Sequence, residues 1–155
     1  MKMFFFHTSP RIIPVIVFLA IGIFFRLYRF DTIPFGLHHD GALEGLEAMD
    51  LAARPLPYRP YSVENPWLGE TMYRYILAAI MSIFGHSAIV LKSVSTAFGI
   101  ATLPVYFLLA YELFGSRIGL LSLFFLSVSG WHIILGKSAW RAMSLPFFEC
   151  LALWL

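Results

Sequence analysis

Apolar and polar positions alternate along this chain in long blocks, not in short strand-like runs. Ile12 to Phe25 is a continuous apolar run, extended by Leu27, Tyr28 and Phe30. It predicts a first membrane-spanning helix over residues 12–29. The run is too long and too aromatic for the apolar core of a signal peptide, and no small-x-small cleavage site follows it. Lys2 and Arg11, in the head of residues 1–11, set its N-terminus in the cytoplasm. A second span is predicted over residues 88–111, with Lys92 snorkelling outward and Gly99 and Pro104 tolerated inside. Residues 112–117 form a tight cytoplasmic turn. A third span covers 118–135, and residues 136–143 emerge outside. The last apolar run, 144–155, would rise only about 18 Å against a hydrocarbon core of about 30 Å. It reads as a fourth span cut short, in the N-terminal portion of something larger.

The remaining block, residues 30–87, is read as one external loop. Asp31 to Leu37 is a break marked by Pro34 and Gly36. Asp40 to Arg54 has helical periodicity: Leu43, Leu46, Met49 and Ala53 share one face, and Glu44, Glu47 and Asp50 another. That face is too weak and too charged to span, so the helix is expected in the outer interface. Arg54 to Pro60 is a proline-stiffened connection. Pro66 suits a first helical position and predicts a second surface helix over about 66–85. Its apolar part, Tyr75 to Phe84, is too short to cross a bilayer. If that part crossed anyway, Lys137 and Arg141 would lie on the opposite side of the membrane from Asp40.

Composition agrees with the pattern. The chain is 59% hydrophobic and 13% charged, with a mean hydropathy of +0.78, where soluble domains carry about 25% charged residues. The predicted class is all-α, a polytopic membrane protein lying in the bilayer, as in a bacterial inner membrane. A net charge of +2 without any Lys/Arg run gives nucleic acid no purchase. Cys150 is the single cysteine, so there is no disulfide framework and no thiolate metal site. No GxSxG, phosphate-binding loop, dinucleotide fingerprint or HExxH is present.

The stretch from Leu37 to Asp50 holds four of the nine acidic residues. Asp40 is the first of them. An interfacial carboxylate can act as a general base, or as an oxygen ligand for Mg²⁺ or Mn²⁺; Asp is also a favoured N-cap, which would account for it without chemistry. His38, His39 and Asp40 are adjacent, and adjacent side chains rarely converge on one transition metal. His39 is retained as an accessory group. Lys137 and Arg141 stand at a helix end where a lipid-linked phosphate could sit, Arg offering fork-shaped contacts; ordinary snorkelling is the alternative. Arg26 and Arg29 pose the same choice. Glu70 and Arg74 are four apart in the favourable order for a helical pair, and both are accessory candidates. Glu149 is ionisable within an apolar run.

The order of parts resembles the polyprenyl-phosphate-dependent glycosyltransferases of the GT-C superfamily, in the branch of protein O-mannosyltransferases and aminoarabinose lipid A transferases, glycosyltransferase family 39. The matching stretches are Arg26 to Gly36, His39-Asp40-Gly41-Ala42, Asn65 to Leu68, Leu113 to Arg117 and Trp131 to Ala142. The resemblance implies interfacial helices in the first external loop and a catalytic first acid there, the base that activates the acceptor or, in some branches, a metal ligand. Asp40 holds that position. The family usually has Asp-Glu where this chain has Asp40-Gly41, and often Ser-Arg where it has Gly136-Lys137. Arg141 matches its second basic position, which implies contact with the donor phosphate. The reaction implied is transfer of a sugar from a polyprenyl-phosphate donor to an acceptor at the outer face. A transporter or flippase fragment, and a non-catalytic truncated membrane protein, are the competing classes.

Overall fold

A computed structural model describes residues 12–53 and 72–155, and these are all helix and connection. Seven α-helices follow one another: α1 (Ile12–Leu27), α2 (His39–Ala53), α3 (Met72–Phe84), α4 (Ala88–Phe114), α5 (Ser116–Val128), α6 (Gly130–Lys137) and α7 (Ser144–Trp154). A 3₁₀ turn, Arg141–Met143, joins the last two. Glu70, expected to pair with Arg74, lies outside the described residues, as do Lys2, Arg11, Pro66 and the start of the predicted second surface helix.

α4 is the hub. It packs against α1, α3, α5, α6 and α7. Its 27 residues would measure about 40 Å. Among the described residues it is the one single helix long and apolar enough to cross a membrane. Ser87 starts it, its hydroxyl accepting from the Val90 amide at 3.3 Å. Gly115 ends it at φ 82°, a left-handed value that suits glycine, and α5 begins at the next residue. The α4–α5 turn is therefore very short. The two helices then meet closely: a Cβ at Gly119 would lie 3.1 Å from the Tyr111 Cα.

Two apolar clusters flank α4. One gathers Leu103, Phe107 and Leu123 with Phe18 and Leu19, joining α1, α4 and α5. The other gathers Ala48, Tyr73, Leu77, Met81, Leu91 and Val94, joining α2, α3 and α4. Phe98 carries α7 through ring contacts with Phe147 and Phe148 at 5.7 Å each.

The structure corrects three expectations. The stretch predicted as one third span, 118–135, is two helices bent by 53° at Ser129. Arg26 does not snorkel. It is fully buried and hydrogen-bonded to backbone carbonyls. Lys92 does not point outward either: it is 2% exposed, with its ammonium 2.7 Å from the Pro34 carbonyl. Carbonyls left open at a bend and past a helix end are ready acceptors, and a buried cation without one would be costly.

The Gly119 approach gives a stability test. Gly119→Val has to part α5 from the α4 backbone and should destabilise the fold by about 1–3 kcal/mol. Thermal unfolding of the detergent-solubilised protein, compared with the parent, measures it.

Candidate functional site

Helix α2 is laid on the protein by its small residues. Gly41, Gly45 and Ala48, with Glu44, form the buried stripe. A Cβ at Gly45 would run into the Leu91 side chain of α4. A Cβ at Gly41 would lie 2.9 Å from the Ala139 carbonyl and 3.0 Å from that of Ser138. These are backbone atoms and do not yield. Gly41 is thus the point at which the first turn of α2 touches the segment after α6.

Periodicity separates the two faces of α2, and the structure shows which one packs inward. Leu43, Leu46 and Met49 face outward, 37%, 62% and 40% exposed. Glu44, on the acidic face, is 2% exposed. The reason is the cations of its neighbours. Arg74 of α3 donates from Nε to Glu44 Oε2 at 2.7 Å and from Nη2 to Oε1 at 3.3 Å. Arg141 donates from Nη1 to the same Oε1 at 2.8 Å. One carboxylate thus joins three elements with two guanidiniums, a charge-assisted arrangement suited to burial. Glu47, one turn on by the i, i+3 relation, places its Oε2 2.7 Å from Arg74 Nε. Burial lifts the Glu47 carboxyl above its ordinary range, against the pull of Arg74; the Glu44 charge adds to the lift and Arg141 opposes it. Arg74 is held by Glu44 and Glu47; its expected pairing with Glu70 falls on a residue outside the described ones.

Asp40 stands four residues before Glu44, on the same side of α2. It lies within the first turn and not before it, so it is not the N-cap. His38 takes that place: its Nδ1 accepts from the Asp40 amide at 3.4 Å, and its carbonyl accepts from Ala42. The Asp40 carboxylate is about half exposed, with His39 Nδ1 at 3.5 Å and His38 Nδ1 at 3.6 Å. The positive end of α2 favours its charge. The His38 ring sits 6.0 Å from that of Trp140, so His38, Asp40 and Gly41 border the Ser138–Arg141 segment.

Of the residues expected to contact a phosphate, Arg141 is about one-third exposed and opens toward this surface. Lys137 does not: it is 5% exposed, and its ammonium donates to the Tyr28 carbonyl at 2.6 Å. Its charge is satisfied by the last carbonyls of α1, so the lysine is an anchor between α6 and α1. That carbonyl belongs to the peptide leading into Arg29, which is exposed at φ 47°. No group of three His, Cys, Asp or Glu side chains converges among the described residues. Two surface hollows lie away from this region, one lined by Pro14, Phe18, Arg117 and Phe124, the other by Tyr106, Ser122 and Ser129. The candidate site is an open ledge, not either hollow.

No family model, curated protein or solved structure matches this chain.

Sequence reasoning missed Glu44 as the centre of the cluster. A usable signal was present in the small-residue stripe Gly41, Gly45 and Ala48, which marks close helix contact more directly than Leu does.

The two glutamates should separate on mutation. Glu44→Ala leaves two guanidiniums without their shared carboxylate, one of them buried, and should cost about 3–5 kcal/mol. Glu47→Gln removes a charge whose burial already opposes ionisation, and should change stability by less than about 1 kcal/mol at neutral pH. Denaturant unfolding of the two variants side by side checks the ranking.

Proposed function

We propose that this chain is part of a membrane glycosyltransferase that moves a sugar from a polyprenyl-phosphate donor to an acceptor at the outer face of the membrane. One observation carries the reading: the first turn of α2, with its half-exposed Asp40, abuts the segment bearing Arg141. A carboxylate and a guanidinium, about a hundred residues apart in sequence, thus border one surface. The GT-C-like order of motifs supplies the chemistry.

On this reading Asp40 takes the proton from the acceptor hydroxyl as that oxygen attacks the anomeric carbon. The bond from sugar to phosphate breaks, and the lipid phosphate leaves with growing negative charge. Arg141, kept in place by Glu44, faces that charge and stabilises it. Arg29 is a second candidate for the same phosphate. Lys137 is not proposed for it, because its ammonium is bound elsewhere. The chain crosses the membrane several times, with its N-terminus in the cytoplasm. α4 crosses alone, α5 and α6 together as one broken span, and α1 at about 24 Å by locally thinned lipid. The apolar outer stripe of α2 rests on the acyl chains. No step here runs through a metal.

A transporter or flippase is the second reading. The break at Ser129, with Arg26 buried against its carbonyls, is the kind of interrupted helix such proteins use at their sites.

The deciding experiment uses the full-length protein in proteoliposomes, supplied with polyprenyl-phosphate sugar. Asp40→Asn should lower sugar transfer at least about 100-fold, the range of a lost general base, with insertion unchanged. Wild-type transfer in that variant removes Asp40 from the mechanism. Lipid or sugar flux without transfer supports the transporter instead. Cysteine labelling that finds positions 40 and 141 on opposite sides of the membrane ends the transferase proposal.

A further inference from the structure

The bend at Ser129 is held together by one side chain from another helix. Arg26, from α1, donates to the Ser127 carbonyl at 3.3 Å and the Leu126 carbonyl at 3.1 Å, both on the last turn of α5. The same guanidinium lies 2.8 Å from His132 Nδ1, in the first turn of α6. Its fourth contact, 2.9 Å to the Gly22 carbonyl, is within α1. One cation therefore grips both sides of the break. The C-terminal end of α5, negative through its open carbonyls, is where a cation belongs.

The two grips differ chemically. The α5 grip uses amide carbonyls, which do not titrate in water's range. The α6 grip uses an imidazole. A guanidinium has only N–H donors, so His132 Nδ1 must be the acceptor and carry no proton. The ring proton is then on Nε2, which is buried and has no hydrogen-bond partner. Arg26 faces the ring from α1, Gly99 from α4, and Met143, from the 3₁₀ turn, sits beside the same glycine. Among the described residues the charged group in contact with the ring is Arg26. No carboxylate is there to welcome a second proton.

α6 has another attachment at its far end. Ser95 and Thr96 of α4 both donate to the Gly136 carbonyl, Thr96 at 3.0 Å, and Lys137 holds the Tyr28 carbonyl. Helix α6 is thus tied at one end by groups indifferent to mild acid and at the other by a neutral histidine.

We infer that Arg26 and His132 form an acid-released clamp: protonation of His132 frees the Ser129 end of α6 from α1, and α6 turns about its anchored Gly136–Lys137 end. The sign follows from the bond. The clamp needs the neutral ring, so it is closed above the imidazole's titration and opens as pH falls through it. Protonation places a proton on Nδ1, removes the acceptor and sets two cations face to face. Arg26 keeps its three carbonyl bonds to α1 and α5. The seam that opens is between α1 and α6, the helix that leads into the Ser138–Arg141 segment. The inference concerns the fold and stands apart from whether the chain transfers sugar.

The test uses the full chain in lipid vesicles, with Cys150→Ala as the parent and spin labels attached at neutral pH to Leu27→Cys and Trp131→Cys. Both positions are exposed and flank the clamp on either side. Dipolar broadening between the labels should be strong at pH 7.5 and fall at least twofold by pH 3.5, reversibly. With His132→Asn, which accepts from Arg26 but does not titrate, broadening should not change between those pH values. With Arg26→Lys, which keeps the charge and loses the fork, it should be weak at both. Should a variant fail to insert, His132→Gln carries the same comparison. A parent spectrum indifferent to pH overturns the inference. So does an equal acid response in His132→Asn, because the titrating group would then be another.

Discussion

The site region hangs on the carboxylate of Glu44. Three elements, α2, α3 and the turn before α7, meet at its two oxygens. A buried guanidinium requires an acceptor, and a carboxylate shared by two guanidiniums is better satisfied than either pair alone. That requirement turns α2 over. Its acids face inward to the arginines, and its leucines are left on the outside, the reverse of a surface helix on a soluble domain. Once α2 lies this way, Asp40, one turn upstream, is carried to the edge of the Ser138–Arg141 segment without any contact of its own to fix it.

Glycine sets the distance of this approach. Gly41 brings the α2 backbone against the Ser138 and Ala139 carbonyls, and Gly45 admits the Leu91 side chain. Any side chain at position 41 would have to displace that backbone contact. This chain therefore trades a side chain next to Asp40 for close docking of the helix that carries it.

Much of the helix layout was legible. The start of α4 and the turn around Gly115 follow from Ser87 and Gly115, because caps and left-handed glycines act locally, whereas α2 is capped by His38 and not by Asp40. The break at Ser129 was not read from the sequence, although Ser129-Gly130 is a local turn signal within an otherwise mostly apolar stretch. The bend is stabilised by Arg26, about a hundred residues earlier. The same holds for Lys92 and Lys137: periodicity places a lysine on a helix, but which carbonyl it meets is a tertiary fact. Glu44 misled for a related reason. Its charge marks it as polar, and only the arginines of other elements make its inside position favourable.

The buried cations fall into two kinds, and the difference has consequences for how the fold can move. Arg74 and Arg141 are matched by carboxylates, so their region is nearly neutral and rigidly bonded. Arg26, Lys92 and Lys137 are matched chiefly by backbone carbonyls, at a break, past a turn and at a helix end. A carbonyl carries only part of a charge, so all three positions keep net positive character, and two of them, Arg26 and Lys137, lie where the helices α1 and α6 converge. A proton added among carboxylates would be absorbed by an acid. A proton added beside Arg26 has no acid to go to and must disrupt a hydrogen bond instead. The region around Glu44 is thus the stiff part of the structure, and the α1–α6 seam is the part where chemistry can be converted into motion.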